Sequence, residues 1–351
     1  SNGDVIISNI KMRNVNVDII NNIPGSISML IGDMGQGGET TLSIMNIDIE
    51  GNVSGSKSSG GLVGSAHQEI QSISNIYVKG DIESSDSEAG GLIGISLEEI
   101  LSINNIRRIG DTTSLGNDAG VGGLIGSVIN NLGVIKNIEV LGNVSTHNTN
   151  PTGGLIGAVR GRVSEIENII VNSDINGGVA VGGVWSSTKG YTGGLIGQVN
   201  YDVDSIINVD YKGDIYSVYG HTGGLIGDAV SGVKHIEDIN IEGDISSGYD
   251  GDDDNTDSGY SGGLIGSIND EIDLIKNVDI NGNISSDISN AGGLIASAVS
   301  KLGVIQDVVI RGDISGGLNE NDDRWGYTGG LLGQSQGVDT IENIQIFGNI
   351  T

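Results

Sequence analysis

An acidic segment in the C-terminal half has the residue types that bind hard cations. It reads Asp-Gly-Asp-Asp-Asp-Asn-Thr-Asp from Asp250 to Asp257, and the candidate ligands are the carboxylates of Asp250, Asp252, Asp254 and Asp257. Calcium takes six to eight oxygen ligands, which such a loop can supply. The segment is not an EF-hand, since its sixth residue is Asn255 and its twelfth is Ser261. The sequence therefore leaves two interpretations open, a calcium site and a solvated loop.

Aromatic residues gather in and beside three longer segments of the chain, and they form a candidate binding edge. Three tyrosines and a histidine each stand two residues before a Gly-Gly pair, and four further aromatic residues lie in the neighbouring loops. The set is Trp185, Tyr191, Tyr219, His221, Tyr249, Tyr260, Trp325 and Tyr327. Tyr and Trp make large, rigid contacts at low entropic cost, which suits recognition of a glycan or a protein. The alternative is that these rings cover their own loops.

One asparagine or aspartate recurs at an equivalent position in successive segments. The column is Asn75, Asn105, Asn137, Asn168, Asn208, Asp238, Asn277 and Asp307. Stacked asparagines hydrogen-bond to one another and to nearby turns in stacked β structure. We therefore expect a structural ladder rather than a row of ligand-binding groups. The two aspartates should accept from neighbouring amides.

A second column consists of Gly followed by Asp or Asn, with Ser173 in place of the glycine before Asp174. Its polar members are Asp81, Asp111, Asn143, Asp174, Asp214, Asp244, Asn283 and Asp313. Asp and Asn tolerate the left-handed conformation, so this column predicts turns. A cation between stacked carboxylates is the alternative, and the two asparagines weaken it.

Signatures of catalysis are absent from the sequence. It contains no His-Glu-x-x-His, Gly-x-Ser-x-Gly, P-loop or dinucleotide fingerprint. We therefore expect no catalytic residues and no cofactor other than the calcium already considered.

The element that positions all these residues is a repeated Gly-Gly-Leu-Ile-Gly motif. Its first glycines are Gly60, Gly90, Gly122, Gly153, Gly193, Gly223, Gly262, Gly292 and Gly329. A period of about 30 residues indicates a repeat architecture, and short alternating runs of Ile and Val broken by Gly and Asn predict strands. We predict an all-β parallel β-solenoid of about ten coils, each with three short strands. The whole chain, residues 1–351, should form this single domain.

Three insertions interrupt the period before Gly193, Gly262 and Gly329. They are Asn176–Tyr191, Ser246–Tyr260 and Ser315–Tyr327. All precede the motif, so they should project from one corner of the solenoid. Loops gathered on one face of a repeat protein often form its binding face. No polar cap sequence is evident at either end, which predicts a segment of a longer array or one that stacks end to end.

The composition limits the partners. The formal charge of −29 disfavours nucleic acid and anionic membrane surfaces, and no transmembrane run is present. The chain has no Cys, so stacking rather than disulfides must stabilise it.

The repeat resembles the GLUG-motif repeats of bacterial surface proteins. The resemblance lies in Gly61-Leu62-Val63-Gly64, Ser74-Asn75-Ile76-Tyr77-Val78 and Gly80-Asp81-Ile82, followed by the next Gly91-Leu92-Ile93-Gly94. It covers nearly the whole chain. The resemblance implies β-solenoid spacers or adhesive regions of exported proteins and carries no catalytic residues. The chain departs from it in its long insertions and in lacking an aromatic residue directly after the asparagine.

These observations predict a structural and adhesive module of an extracellular bacterial surface protein or fibre. It would act as a rigid spacer, and the insertions would form a binding edge for a glycan or a protein on a cell surface. Two alternatives remain, a filament subunit that stacks through uncapped ends and a carbohydrate-active enzyme on a β-helix.

Overall fold

The computed structural model is a parallel β-solenoid without helices in the residues that it describes. These are residues 4–18, 25–35, 41–117, 119–148, 150–178, 190–218, 220–248, 259–287, 289–317 and 326–351. Each coil passes through four parallel sheets in turn. We call them the long sheet and the second, third and fourth sheets, in chain order. The described residues form ten such coils and one further strand of the long sheet.

The long sheet contains the strands of 8 to 10 residues. Its strands are Val5–Met12, Leu42–Glu50, Ile70–Lys79, Ile100–Ile109, Leu132–Leu141, Val163–Asn172, Val203–Lys212, Val233–Glu242, Ile272–Asn281, Leu302–Arg311 and Val338–Phe347. The second sheet follows it after a tight turn. Its strands are Val17–Asp18, Val53–Gly55, Ile82–Ser84, Thr112–Ser114, Val144–Thr146, Ile175–Gly177, Ile215–Ser217, Ile245–Ser247, Ile284–Ser286 and Ile314–Gly316.

The third and fourth sheets hold the glycine motif. The third-sheet strands are Ile27–Ser28, Ser59–Gly60, Ala89–Gly90, Val121–Gly122, Thr152–Gly153, Thr192–Gly193, Thr222–Gly223, Ser261–Gly262, Ala291–Gly292 and Thr328–Gly329. The fourth-sheet strands are Ile31–Met34, Val63–Ala66, Ile93–Ser96, Ile125–Val128, Ile156–Val159, Ile196–Val199, Ile226–Ala229, Ile265–Ile268, Ile295–Ala298 and Leu332–Ser335. Each coil thus has four strands, not the three expected, because a strand of two residues is too short to show alternation.

Equivalent residues of the described strands pair directly in successive coils, so their side chains form columns, and a single bulge between Leu42 and Ser43 shifts the pairing of the second and third long strands. Ile103 pairs with Ile73 on one side and with Ile135 on the other. Strands in a sheet lie about 4.8 Å apart, so the eleven strands of the long sheet span about 48 Å. The core consists of aliphatic columns, and Ile73, Ile103 and Ile135 are all fully buried. Each buried side chain of this kind stabilises the fold by about 1.5–3 kcal/mol.

The glycine pair is required by close backbone approach rather than by an unusual backbone angle. A Cβ on Gly60 would lie 1.9 Å from the carbonyl oxygen of Val63 in its own coil. A Cβ on Gly61 would lie 2.3 Å from the carbonyl oxygen of Gly91 in the next coil. The motif therefore allows the chain to turn from the third sheet into the fourth without a gap between coils.

The insertions leave the solenoid at a single corner, as predicted. In each case the extra residues stand between a second-sheet strand and a third-sheet strand: Ile175–Gly177 and Thr192–Gly193, Ile245–Ser247 and Ser261–Gly262, and Ile314–Gly316 and Thr328–Gly329. The predicted first residues of the insertions, Asn176, Ser246 and Ser315, belong to the second-sheet strands instead. The flanking strands keep their register across all three insertions. Extra residues at this corner therefore leave the stacking of the coils undisturbed.

Candidate functional site

The long strands bend at the asparagine column. Every member of the column from Asn9 to Asn343 has a φ between 53° and 60°, the left-handed region that Asn and Asp enter more readily than other side chains. At the bend two consecutive residues, such as Ser74 and Asn75, stand between the buried Ile73 and Ile76. The bend therefore changes the direction of the strand without removing any aliphatic residue from the core.

A groove follows the bend along the solenoid axis, and we call it the axial groove. It is formed by three columns: the asparagines from Asn46 to Asn208, the isoleucines that follow them, and a wall column two residues after each asparagine. The wall column is Asp48, Tyr77, Arg107, Glu139, Ile170 and Asp210. The groove has a volume of about 1050 Å³. A smaller section of about 420 Å³ continues it from Asn208 to Asn277.

The predicted asparagine column forms a ladder of hydrogen bonds at the edge of this groove. Asn75 Nδ2 donates to Asn46 Oδ1 at 3.0 Å, and Asn105 Nδ2 donates to Asn75 Oδ1 at 2.7 Å. Asn168 donates to Asn137 at 3.1 Å and accepts from Asn208 at 2.7 Å. We call this row the groove ladder. Its residues lie inside the long strands, not at the end of a strand.

The groove ladder has one direction, because each amide donates to the preceding coil. Asn137 is a local exception, since it donates to Asn104 instead of Asn105, at 2.8 Å. The two aspartates accept but cannot donate: Asn277 donates to Asp238 at 2.5 Å, and Asn343 donates to Asp307 at 2.9 Å. A carboxylate therefore fits as an acceptor but lacks the bond to the coil before it.

The Gly-Asp/Asn column forms a second ladder, which we call the corner ladder. Here each side-chain Oδ1 accepts from the backbone N–H of the equivalent residue in the next coil. Asp111 N donates to Asp81 Oδ1 at 3.0 Å, and Asn143 N donates to Asp111 Oδ1 at 2.8 Å. The glycine before it, such as Gly80 with φ 137°, occupies a backbone region that side chains rarely adopt. The corner ladder thus supplies acceptors to backbone groups between the long and second sheets.

Three of the four charged residues in the groove wall lie in ion pairs, and the fourth, Asp210, accepts a hydrogen bond from Asn240 Nδ2 at 2.9 Å. Arg13 Nη2 lies 2.5 Å from Asp48 Oδ2, and this hydrogen bond lowers the pKa of Asp48. Arg107 Nε lies 2.9 Å from Glu139 Oε2 in the next coil. Tyr77 stands between the Asp48 and Arg107 rungs in register. The groove wall therefore offers an aromatic ring between neutralised charges.

The predicted binding edge is only partly within the described residues. Tyr191, His221 and Tyr260 lie on three consecutive coils, with ring centroids 5.4 Å apart for Tyr191 and His221 and 4.3 Å apart for His221 and Tyr260. His221 Nδ1 accepts from the backbone N–H of Tyr260 at 3.2 Å, which defines its neutral tautomer. Tyr327 is two coils farther on and half exposed. Trp185, Tyr219, Tyr249 and Trp325 lie outside the described residues.

The acidic segment with Asp250, Asp252, Asp254 and Asp257 also lies outside the described residues. Within the ranges given above, no group of three or more His, Cys, Asp or Glu side chains is arranged to hold a metal ion. The calcium site stays a prediction, and melting with and without a chelator tests it. A ligand of the native state raises the unfolding midpoint, so an unchanged midpoint would exclude calcium.

A buried arginine interrupts one aliphatic core column beside the groove. Arg108 pairs in register with Val78 and Val140, and its side chain is fully buried. Burial lowers the pKa of Arg108 to about 10, partly offset by the charges of Asp81 and Asp111. Its Nη2 donates to Asp111 O at 3.2 Å, and its Nε and Nη1 have no hydrogen-bond partner in the described part of the chain.

Tyr211 occupies the same core column three coils later. Its hydroxyl donates to the carbonyl oxygen of Ser173 at 2.8 Å, and burial raises the pKa of that hydroxyl. Both polar members of the column therefore reach backbone oxygen at the corner. Sequence reasoning missed them, although Arg108 stands where the repeat places Val78.

Sequence reasoning also missed the axial groove and its wall column. The available signal was the three-residue spacing of Ile73 and Ile76, which breaks strict alternation at the asparagine. The groove is lined by amides, aliphatic side chains, two ion pairs, the carboxylate of Asp210 and one aromatic ring. This set can hold a ligand by hydrogen bonds and stacking.

No protein-family model, curated protein or solved structure matches this chain. The described residues also include no helix that could span a bilayer.

Proposed function

We propose that this chain is a rigid adhesive module of an exported bacterial surface protein or fibre. The observation that carries the proposal is the continuous parallel stacking of ten coils in four sheets, with one bulge at Leu42 and Ser43. Such an array separates whatever lies at its two ends by a fixed distance and exposes a long outer surface for contact.

Rigidity is supported by bonds that connect every coil to its neighbours. Backbone hydrogen bonds, two polar ladders and aliphatic columns all run between adjacent coils. Bending the array would have to open several of these connections together. A spacer of this construction keeps its length under load better than a flexible linker would.

Binding rather than catalysis is supported by the chemistry of the outer surface. The axial groove offers amide groups and an aromatic ring, and both of its arginines lie in ion pairs. The stack of Tyr191, His221 and Tyr260 adds aromatic surface at the insertion corner. Both features suit recognition of a glycan or protein on another surface.

The rigid part of the proposal is tested by a distance measurement on a doubly spin-labelled chain. Ser54 and Ser285 occupy equivalent positions of the second sheet, seven strand spacings apart. In the cysteine-free chain, Ser54→Cys and Ser285→Cys give unique labelling sites. We expect one narrow distribution of label-to-label distances, centred at about 34 Å. A broad or multiple distribution would contradict a rigid spacer.

The adhesive part is tested with beads coated with the native chain and flowed over immobilised glycans and over cell layers. Beads coated with the same chain after heat unfolding serve as the control. We expect retention of the native beads on at least one surface and loss of retention after unfolding. Equal retention of the two bead types on every surface would overturn the adhesive function.

A further inference from the structure

We infer that the axial groove binds a linear, uncharged polysaccharide chain lying along the solenoid axis. The inference rests on the proposed adhesive function, and it assigns that function to the long sheet rather than to the insertion corner. It is carried by the shape of the groove, its unused hydrogen-bonding groups, its spacing and its charge.

The shape requires an extended ligand. The main section crosses six coils, from Asn46 to Asn208, which is about 24 Å at the spacing of β-strands. The second section adds two coils, as far as Asn277, so the whole groove is about 34 Å long. A compact small molecule would contact only a small part of it.

The groove ladder supplies hydrogen-bonding groups at regular intervals. A primary amide has two N–H donors and two acceptor lone pairs on its oxygen. Asn168 uses one donor towards Asn137 and accepts one bond from Asn208. Among the described residues its amide makes no other hydrogen bond, so one donor and one lone pair remain for a ligand. The pattern repeats in Asn75.

The spacing of these groups distinguishes between kinds of polymer. The amides recur once per coil, about every 4.8 Å, whereas an extended polypeptide advances about 3.3 Å per residue. A pyranose ring with its glycosidic oxygen has a length close to the spacing of the coils. Successive sugars can therefore present their hydroxyls to successive amides, which are both donors and acceptors, as hydroxyls are.

Charge favours an uncharged chain over an anionic one. Arg13 and Arg107, the basic groups of the groove, are engaged by Asp48 and Glu139. Asp210 and Asp238 lie in the continuation of the groove. The chain as a whole carries a charge of −29, which repels polyanions. Polyuronates and nucleic acids would therefore bind poorly.

Tyr77 completes the site as a stacking platform. Its ring is half-buried in the wall and in register between Asp48 and Arg107. The flat C–H face of a sugar packs on an aromatic ring, and the hydroxyls at its edge then point to polar neighbours. Ile170, half exposed in the same wall column, offers a second apolar contact three coils away.

Binding of defined oligosaccharides to the full chain tests the inference by calorimetry. The probes are linear, uncharged β-linked glucan and mannan oligosaccharides of increasing length, with oligogalacturonates as the charged probe. We expect affinity for an uncharged series to rise with length until the oligosaccharide spans the groove, and then to level off. Absence of binding by every uncharged series, or equal binding of the galacturonates, would overturn the inference.

Two groove variants and one control locate the site. Tyr77→Ala removes the ring, and Ile170→Arg places a long side chain across the groove between Glu139 and Asp210. Both positions are accessible from solvent, so each variant should fold, as circular dichroism can verify. Tyr201→Ala is the control, since Tyr201 is exposed outside the groove. We expect each groove variant to weaken binding about tenfold or more and the control to leave it unchanged. Unchanged binding in both groove variants would place the site elsewhere.

The bead assay separates failure of this inference from failure of the proposed function. If the native chain adheres and both groove variants adhere equally well, the adhesive function stands and the groove is not its site. If the groove variants alone lose adhesion, the groove is the adhesive surface. If the native chain adheres to nothing, the proposed function itself fails, whatever the calorimetry shows.

Discussion

The groove ladder and the corner ladder are built from the same two residue types, yet they have different chemical requirements. In the groove ladder an asparagine such as Asn168 donates to one coil and accepts from the other. In the corner ladder the side chain accepts from a backbone N–H, and among the described rungs the last one, Asn349, also donates from its side chain to Asp313. Ten side chains accept in the corner ladder, and six of them are aspartates. The groove ladder has two aspartates among eleven residues from Asn9 to Asn343. Amino-acid choice at a repeated position therefore reports the direction of its hydrogen bonds.

The largest effect should come from removing an amide at a bend. Asn168→Ala loses two hydrogen bonds and forces alanine to adopt the left-handed conformation, which together cost about 2–3 kcal/mol. Asn168→Gly loses the same bonds but tolerates the backbone angle, so it should cost about 1 kcal/mol less. Urea denaturation of the three proteins measures both differences. Equal costs for Ala and Gly would show that the bend does not select asparagine for its backbone.

Substitution of Arg108 should show that two carboxylates of the corner ladder, Asp81 and Asp111, also stabilise a buried charge. Arg108→Val removes a buried charge from a column that is otherwise valine at the neighbouring coils, and we expect a gain of about 2 kcal/mol in stability. Asp111→Asn should destabilise the native chain but be neutral in the Arg108→Val background, because Asp111 then has no buried charge to attract. A double-mutant cycle of thermal unfolding measures this coupling. A loss of stability in Arg108→Val would contradict the account.

Exchanging Asn for Asp in the groove ladder and Asp for Asn in the corner ladder should show directly that the two ladders have different hydrogen-bonding requirements. Asn168→Asp removes the donor to Asn137 and should cost about 1 kcal/mol. Asp244→Asn keeps the acceptor that receives the backbone N–H of Asn283, so its effect should stay within about 0.5 kcal/mol. The comparison needs only the two urea midpoints. Equal losses of stability in the two variants would contradict a difference between the ladders.

Lowering the pH should have the smallest effect on stability. The carboxylates with lowered pKa values all lie in ion pairs, either outside both ladders or at the groove wall. Hydrogen bonding from Arg162 lowers the pKa of Asp204 below its ordinary value of 3.8. A carboxylate with a lowered pKa contributes stability above its ordinary pKa and loses it as the pH falls through the lower, folded value. The melting temperature should therefore differ slightly between the native chain and Asp204→Asn at pH 7, and this difference should shrink below about pH 4. A difference that stays constant as the pH falls below the ordinary pKa of 3.8 would be unrelated to ionisation.

Much of the fold follows from the sequence because stacking makes equivalent residues neighbours. The glycine motif, the aliphatic columns and both polar columns were all visible as periodic positions, and the structure places each in one register. The corner of the insertions also followed, since every insertion precedes the same motif. The periodic positions of the sequence therefore predict which residues are neighbours in the folded chain.

What could not be predicted depends on local geometry that periodicity does not encode. The strand Ser59–Gly60 is defined only by its neighbours in adjacent coils, because two residues show no alternation. The axial groove needs the positive φ at Asn75, which a repeat pattern does not specify. The direction of the groove ladder is likewise set by the orientation of an amide such as that of Asn75, not by its residue type.

Register across the insertions has an evolutionary consequence. Thr222 and Ser261 are partners in adjacent coils, as are Ser261 and Ala291. Loss of residues 223–261 would therefore join two equivalent points and leave every remaining column continuous. Unequal recombination between repeats can therefore lengthen or shorten this protein by whole coils. Selection can adjust the length of the solenoid in this way without new kinds of contact between coils.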